Sequence, residues 1–212
     1  MIDLRGFRGW ATLTEQPFLN LLRQGMVSSL VFERWLVQEQ YLYEALLGLQ
    51  ASLLCRAPQQ HRLIMVNALL VTVEELDWLA SLELPPASIH PLRMRYIHFI
   101  QSLEQAPYAM GIVAHWARYR AFLDALSSLQ PNTAQAPLSG LAEEIAQHWM
   151  APEAQALIHD FGSLALEVCE QLPLEEVDWV VGQVLQHEQL AWRMALEFAL
   201  EDGSGRGSHP GV

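Results

Sequence analysis

At 212 residues and 51% hydrophobic, the chain can bury a sizeable core in one domain, and its formal net charge of -12 excludes the basic field that draws nucleic acid. All 12 basic residues are Arg, while Cys55 and Cys169 make neither a disulfide framework nor a CxxC, so a reducing cytoplasm is expected. The opening MIDLRGFRGW lacks the apolar core of a signal peptide, and no apolar run nears the ~20 residues of a membrane span, so a membrane is not an expected partner either.

Helical i, i+3, i+4 periodicity recurs almost throughout and β-type alternation is missing, which reads as an all-α chain. Thr12 and Glu15 have capping-box spacing, predicting a first helix over 13–24 that ends at Gly25. A second is predicted over 29–55, stopping before Pro58, and a third over 59–82, closed by the prolines of LPPASIHP. A short fourth follows over 91–104, and Pro107 opens a fifth that reaches about 129, before the loop QPNTAQAPLSG. The remaining helices are placed at 140–150, 153–171 and 174–201, so residues 1–202 form a single helical domain and 203–212 a disordered Gly/Ser-rich tail. Long helices joined by short loops favour an antiparallel bundle, where ligand sites are built from side chains on facing helices.

Two apolar stripes carry an acid at their centre. Phe32, Leu36, Glu39, Tyr43, Leu46 and Leu53 share one face of the second helix, and Val177, Val181, Val184, Glu188, Ala191, Ala195 and Phe198 one face of the last. Asp and Glu are almost never fully buried without a partner, so both acids are candidate site residues. Glu75 lies on a stripe with Ile64, Ala68, Val71, Trp78 and Leu82, and His115 between Tyr108, Ile112, Tyr119 and Phe122. Trp35, Tyr43, Tyr119 and Trp192 supply aromatic walls nearby, either as core or as platforms for a ring.

A carboxylate-bridged di-iron site needs Glu-x-x-His on two helices, and no such spacing occurs; the positions three after Glu39, Glu75 and Glu188 are Leu42, Trp78 and Ala191. No metal and no other cofactor is expected. Two buried carboxylates in an aromatic cavity suit a small nitrogenous heterocycle instead. One acid accepts hydrogen bonds from an amidine-like edge, and the other exchanges a proton once burial raises its pKa.

The run QPFLNLLRQGMVSSLVFERWLVQEQYLY, residues 16–43, resembles the opening of the TenA family, with its His-Pro-Phe, a Gly after the first helix, then F-x-x-Y-L-x-Q-D and following tyrosines. Pro17, Phe18, Gly25, Phe32, Trp35, Gln38 and Tyr41 fit, and Glu39 falls on the family's aspartate. HEQLAWRMAL is similar to the family's closing E-x-x-F-W-x-M-A through Glu188, Trp192, Met194 and Ala195, and AHWARY to its C-Y-W-x-Y-Y. The resemblance implies a haem-oxygenase-like bundle of about seven to eight helices without haem, usually a homotetramer. It also implies thiaminase II or aminopyrimidine aminohydrolase activity in thiamin metabolism. In that family the aspartate holds the aminopyrimidine edge, a cysteine attacks the ring and the late glutamate handles the leaving-group proton.

Carried onto this chain, the resemblance makes Glu188 the catalytic acid/base, and the pocket is expected to be lined by Glu39, Tyr43, Glu75, His115, Arg118, Tyr119 and Trp192. The expected partners are a small amine-bearing heteroaromatic and further copies of the chain, as a dimer or tetramer. Departures from the family pattern are substantial. Ala114 stands at the nucleophilic cysteine, Arg118 at one pocket tyrosine and Leu42 at another, while Trp78 replaces the histidine of metal-dependent relatives. An Ala has no lone pair to add to a pyrimidine. Three readings therefore stand: a hydrolase in which water replaces the thiol, a catalytically inactive binding or regulatory protein with the pocket retained, and a structural bundle. In the last, Glu39 and Glu188 simply pair with Arg118 or His115.

Overall fold

The structure is a computed structural model that describes residues 10–129, 143, 147–150 and 152–206. Among the described residues every regular element is helical. The chain opens with a 3-10 turn, Trp10–Glu15, and continues through α1 (Pro17–Arg23), α2 (Ser29–Arg56), α3 (Arg62–Ser81), α4 (Pro91–Ser102), α5 (Tyr108–Ser127), α6 (Pro152–Cys169) and α7 (Leu174–Arg206).

Helix ends follow local chemistry. Pro17 takes the first helical position of α1, where its missing N–H costs nothing, and Gly25 at φ 68 closes it. The Gly25 N–H donates to the Leu22 carbonyl (3.1 Å) and the Met26 N–H to that of Leu21 (2.9 Å), the paired bonds of a Schellman motif. The Ser28 hydroxyl caps α2 by accepting from the Val31 N–H, and Pro58 follows its end. His90 caps α4 through Nδ1, with Pro91 at the first position.

Three boundaries differ from the sequence reading. Thr12 and Glu15 belong to a 3-10 turn rather than to the start of the first α-helix. A helix running through this segment would set the Pro17 ring against the Leu13 carbonyl, so the α-helix starts anew at Pro17. Residues 59–61 likewise form a 3-10 turn before α3. The last helix continues through Arg206, into the segment read as a disordered tail, because extending a formed helix costs far less than nucleating one. Residues 207–212 and most of the helix expected over 140–150 lie outside the described residues.

Helix α2 lies centrally, packing on α3, α4, α5 and α7, and α5 packs on α6 and α7. A Cβ at Gly111 would come within 2.6 Å of Leu53 Cδ2, so the absent side chain permits the close approach of α5 to α2. That contact sets the two helices that bring Glu39 and Arg118 together.

Candidate functional site

Glu39 is 2% exposed on the inner face of α2, and what faces it is positive. Arg93 Nη2 from α4 donates to Oε1, and Arg118 Nη2 from α5 donates to Oε2 at 3.1 Å. Helix α4 is aimed by the neighbouring Gln38. Its amide nitrogen donates to the Ser88 carbonyl (3.1 Å) and its oxygen accepts from the His90 N–H (2.8 Å), pinning the loop that starts α4. Arg93 then falls on the buried stripe it shares with Tyr96, Ile97 and Ile100.

Glu188, on α7, completes the centre. Its Oε1 accepts from the Tyr96 hydroxyl at 2.7 Å and lies 3.9 Å from Arg118 Nε. Burial pushes the Glu188 carboxyl above the usual glutamate range; Arg118 opposes this and the charge on Glu39 adds to it. Burial raises the Tyr96 phenol well above 10.0, assisted by Glu188, so it serves as a hydrogen-bond donor. For Arg118, burial favours the neutral form, but Glu188, Tyr43 and Glu39 outweigh it and hold the guanidinium charged.

The Arg118 guanidinium sits in an aromatic cage, its central carbon 4.4 Å from the Phe122 ring centroid, 5.1 Å from Tyr119 and 5.3 Å from Tyr43. A planar N–C–N group thus lies against aromatic rings with a carboxylate at its edge. The centre has more donors than partners. Arg93 Nε and Nη1 and Arg118 Nε and Nη1 are buried without a hydrogen-bond acceptor. Such groups are costly to bury, and isolated ion clusters seldom stabilise a fold over apolar packing. Behind Phe122, Trp192 stacks at 5.9 Å, then Trp35 on Trp192 at 5.5 Å, with Phe18 6.3 Å from Trp192.

Of the residues expected to form one pocket, Glu39, Glu188, Arg118, Tyr43 and Tyr119 do come together, whereas Trp192 meets the cage only through Phe122. Glu75 and His115 touch neither acid and flank the cage from outside: His115 stands edge-on to the Tyr119 ring at 4.8 Å, and Glu75 shares a crevice with Tyr43, Tyr119 and Phe122. Glu75 accepts from His148 Nε2 (2.9 Å) and Trp149 Nε1 (2.8 Å), beside a crevice of about 20 Å³ lined by Tyr43, Tyr119, Phe122 and Leu157 among others. That is room for about one water. The Gln50 amide nitrogen donates to the Thr72 hydroxyl at 2.9 Å and lies 3.3 Å from His115 Nε2. Burial, then Arg118, lowers the His115 pKa from 6.5 to about 3, so the ring is neutral and cannot answer either acid.

Sequence reasoning missed Arg93 and Tyr96. Their signal is an Arg on the apolar face of α4, the same anomaly that exposes the acids. Ala114 is fully buried, with no nucleophilic atom in its place. Among the described residues no three His, Cys, Asp or Glu side chains gather as a metal would require. No helix there is long and apolar enough to cross a membrane.

The fold around this centre is shared with solved structures. A TenA homologue from Pyrococcus furiosus matches with a TM-score of 0.80 and 18% identity, over 88% of this chain and 94% of that one. A TenA family transcription regulator from a Silicibacter species matches at 0.77 and 16%, over 89% and 92%, and a TenA homologue protein from P. horikoshii at 0.76 and 14%, over 92% and 97%. The chain therefore has a TenA-like, all-helical fold. No protein-family model and no curated protein matches its sequence.

Proposed function

We propose that this chain is a TenA-like binding protein for a small amine-bearing heteroaromatic, of the aminopyrimidine or thiamin-related class, and that Arg118 occupies the ligand's place until the ligand displaces it. One observation carries this reading. The Arg118 guanidinium is a planar N–C–N group that donates to Glu39 Oε2 at 3.1 Å and packs over Tyr43, Tyr119 and Phe122. An aminopyrimidine offers the same amidine-like edge and the same flat faces. The crevice beside the cage is water-sized, so a ring takes the cage only by moving the arginine, which lowers apparent affinity by the fraction of time the cage is open.

A second reading is hydrolysis by water, favoured by Glu188, whose carboxyl is raised by burial and holds a hydrogen bond from Tyr96. That profile suits a general acid or base. Without a thiol at Ala114, the covalent route to such a product is closed and water has to attack directly.

The two readings separate in one experiment: melting temperature and ammonia or hydroxymethylpyrimidine release are followed with thiamin, its aminopyrimidine fragments and formylaminopyrimidine. Binding without turnover gives a melting shift and no product, and Arg118→Ala enlarges the shift by vacating the cage. Product release that Glu188→Gln abolishes supports the hydrolase instead. Neither a shift nor product with any compound, in wild type and in Arg118→Ala alike, refutes both and leaves a structural cluster.

A further inference from the structure

Two arginines share one acid at the heart of the bundle. Arg93 and Arg118 are both fully buried, and each gives Glu39 a single nitrogen, Nη2. A guanidinium carries its N–H groups in a planar fork and frequently grips a carboxylate with two of them, so each fork is only partly engaged. The nitrogens left over, Nε and Nη1 of both residues, have no acceptor, and neither do the indole N–H groups of Trp35 and Trp192 behind Phe122. Glu188 does not make up the deficit. Its Oε1 accepts from the Tyr96 hydroxyl at 2.7 Å and stays 3.9 Å from Arg118 Nε, beyond hydrogen-bond reach.

The imbalance runs one way. Buried polar groups in folded proteins are nearly always paired, and one without a partner calls for its own explanation. At this centre the orphaned groups are all donors, so it is matched by a group that accepts. Charge asks for the same thing. Two permanent cations face Glu39, while burial pushes the Glu188 carboxyl above the usual glutamate range and so towards its neutral form. A monoanion with two acceptor atoms in one plane answers both demands, and a carboxylate is that group. Displacement of Arg118 sharpens the requirement. A neutral ring that took its place against Glu39 would leave the guanidinium buried with Glu188 alone. A ring that also carries a carboxylate brings the arginine a new counter-charge as it removes the old one.

We infer that Arg93 and Arg118 form a buried carboxylate site, and that the ligand taken by the cage carries this carboxylate beside its amine-bearing edge. This rests on the cage being a heteroaromatic site, and it narrows the ligand from a neutral aminopyrimidine to an amino-heteroaromatic acid.

Isothermal titration calorimetry on the full chain at fixed ionic strength compares three probes: hydroxymethyl-aminopyrimidine, the same ring with the hydroxymethyl group replaced by a carboxylate, and acetate. The ring acid is expected to bind at least about tenfold more tightly than the neutral ring, the scale of one hydrogen bond to a charged group. Arg93→Gln, which leaves Arg118 and the aromatic rings in place, should remove that advantage. If this variant does not fold, the wild-type comparison decides alone. A ring acid no tighter than the neutral ring, or an advantage that survives Arg93→Gln, overturns the carboxylate site while the heteroaromatic reading stands. Acetate that raises the neutral ring's affinity to that of the acid upholds the site but overturns its being filled by the ring's own substituent. If neither ring binds, the heteroaromatic reading fails, and the carboxylate site fails with it unless acetate binds the wild type and not Arg93→Gln.

Discussion

Glu39 and Glu75 carry the same signature in the sequence, an acid set into an apolar helical stripe, yet the molecule answers them in opposite ways. Glu39 is held by two guanidinium groups on α4 and α5, with its side chain 3% exposed. The side chain of Glu75 is 14% exposed and takes one hydrogen bond from an imidazole and one from an indole, at the edge of a water-sized crevice. The first arrangement sets two permanently charged guanidinium groups in a region with little access to solvent, whereas the second sets one imidazole and one indole closer to water. An inward acid in a sequence therefore announces that a partner exists but not its charge, and charge decides how much rests on the residue.

The contrast is broken hardest by removing Glu39. Glu39→Ala leaves Arg93 buried without its counter-charge and Arg118 with only Glu188, 3.9 Å from its Nε, and urea unfolding is expected to show a loss of about 3–5 kcal/mol. A loss under about 1 kcal/mol would mean that the centre relaxes by letting water in, which would make it no more demanding than the crevice.

Acid titration separates the buried groups by sign. His115 has a folded pKa of about 3 against 6.5 for the free ring, so the unfolded chain binds the extra proton between those values. Stability from this group is complete above pH 6.5 and is lost as pH falls towards 3, amounting to a few kcal/mol at most. His115→Gln should flatten that limb by about one proton in unfolding measured against pH. Glu188 acts the other way. Its folded pKa is raised, so its contribution is present below 4.5 and is lost as pH rises through the folded value. Glu188→Gln should therefore gain on the wild type as pH increases from 4.5, and a difference independent of pH would show that burial does not govern this carboxyl.

The smallest effect is expected at the crevice. Glu75→Gln keeps an acceptor for either His148 or Trp149 and should cost about 1 kcal/mol in the same unfolding assay. Combined with Glu39→Ala, it should add within about 0.5 kcal/mol if the two regions are energetically separate. A larger departure would show coupling through Tyr43 and Tyr119, which face both.

How legible all this was in the sequence depends on whether the signal is local. Period and punctuation settled α2 to within a residue of Ser29–Arg56, and Gly25 marked the end of α1 correctly, because caps and prolines act on their own neighbours. The inward direction of Glu39 and Glu188 was equally readable, since a stripe fixes a face. Pairings across the bundle were not. Arg118 as the partner of both acids stood only as one of three readings, beside His115; that it does turn in, and that Arg93 joins it from α4, depends on how four helices cross, which no window along one helix contains. The capping box at Thr12 failed for a related reason: a stronger local constraint, Pro17, lay inside the helix it was meant to start.

The indole and phenyl rings behind the cage have a consequence for observation. Trp35 and Trp192 are stacked at 5.5 Å, Trp149 stands edge-on to Trp35 at 5.6 Å, and Phe122 bridges this array to Arg118. Chromophores so close and so fixed couple their transitions and give intense near-ultraviolet circular dichroism. Movement of a single guanidinium on Phe122 would thus be written into the optical spectrum of the unlabelled protein, a signal that needs neither product formation nor a tagged ligand.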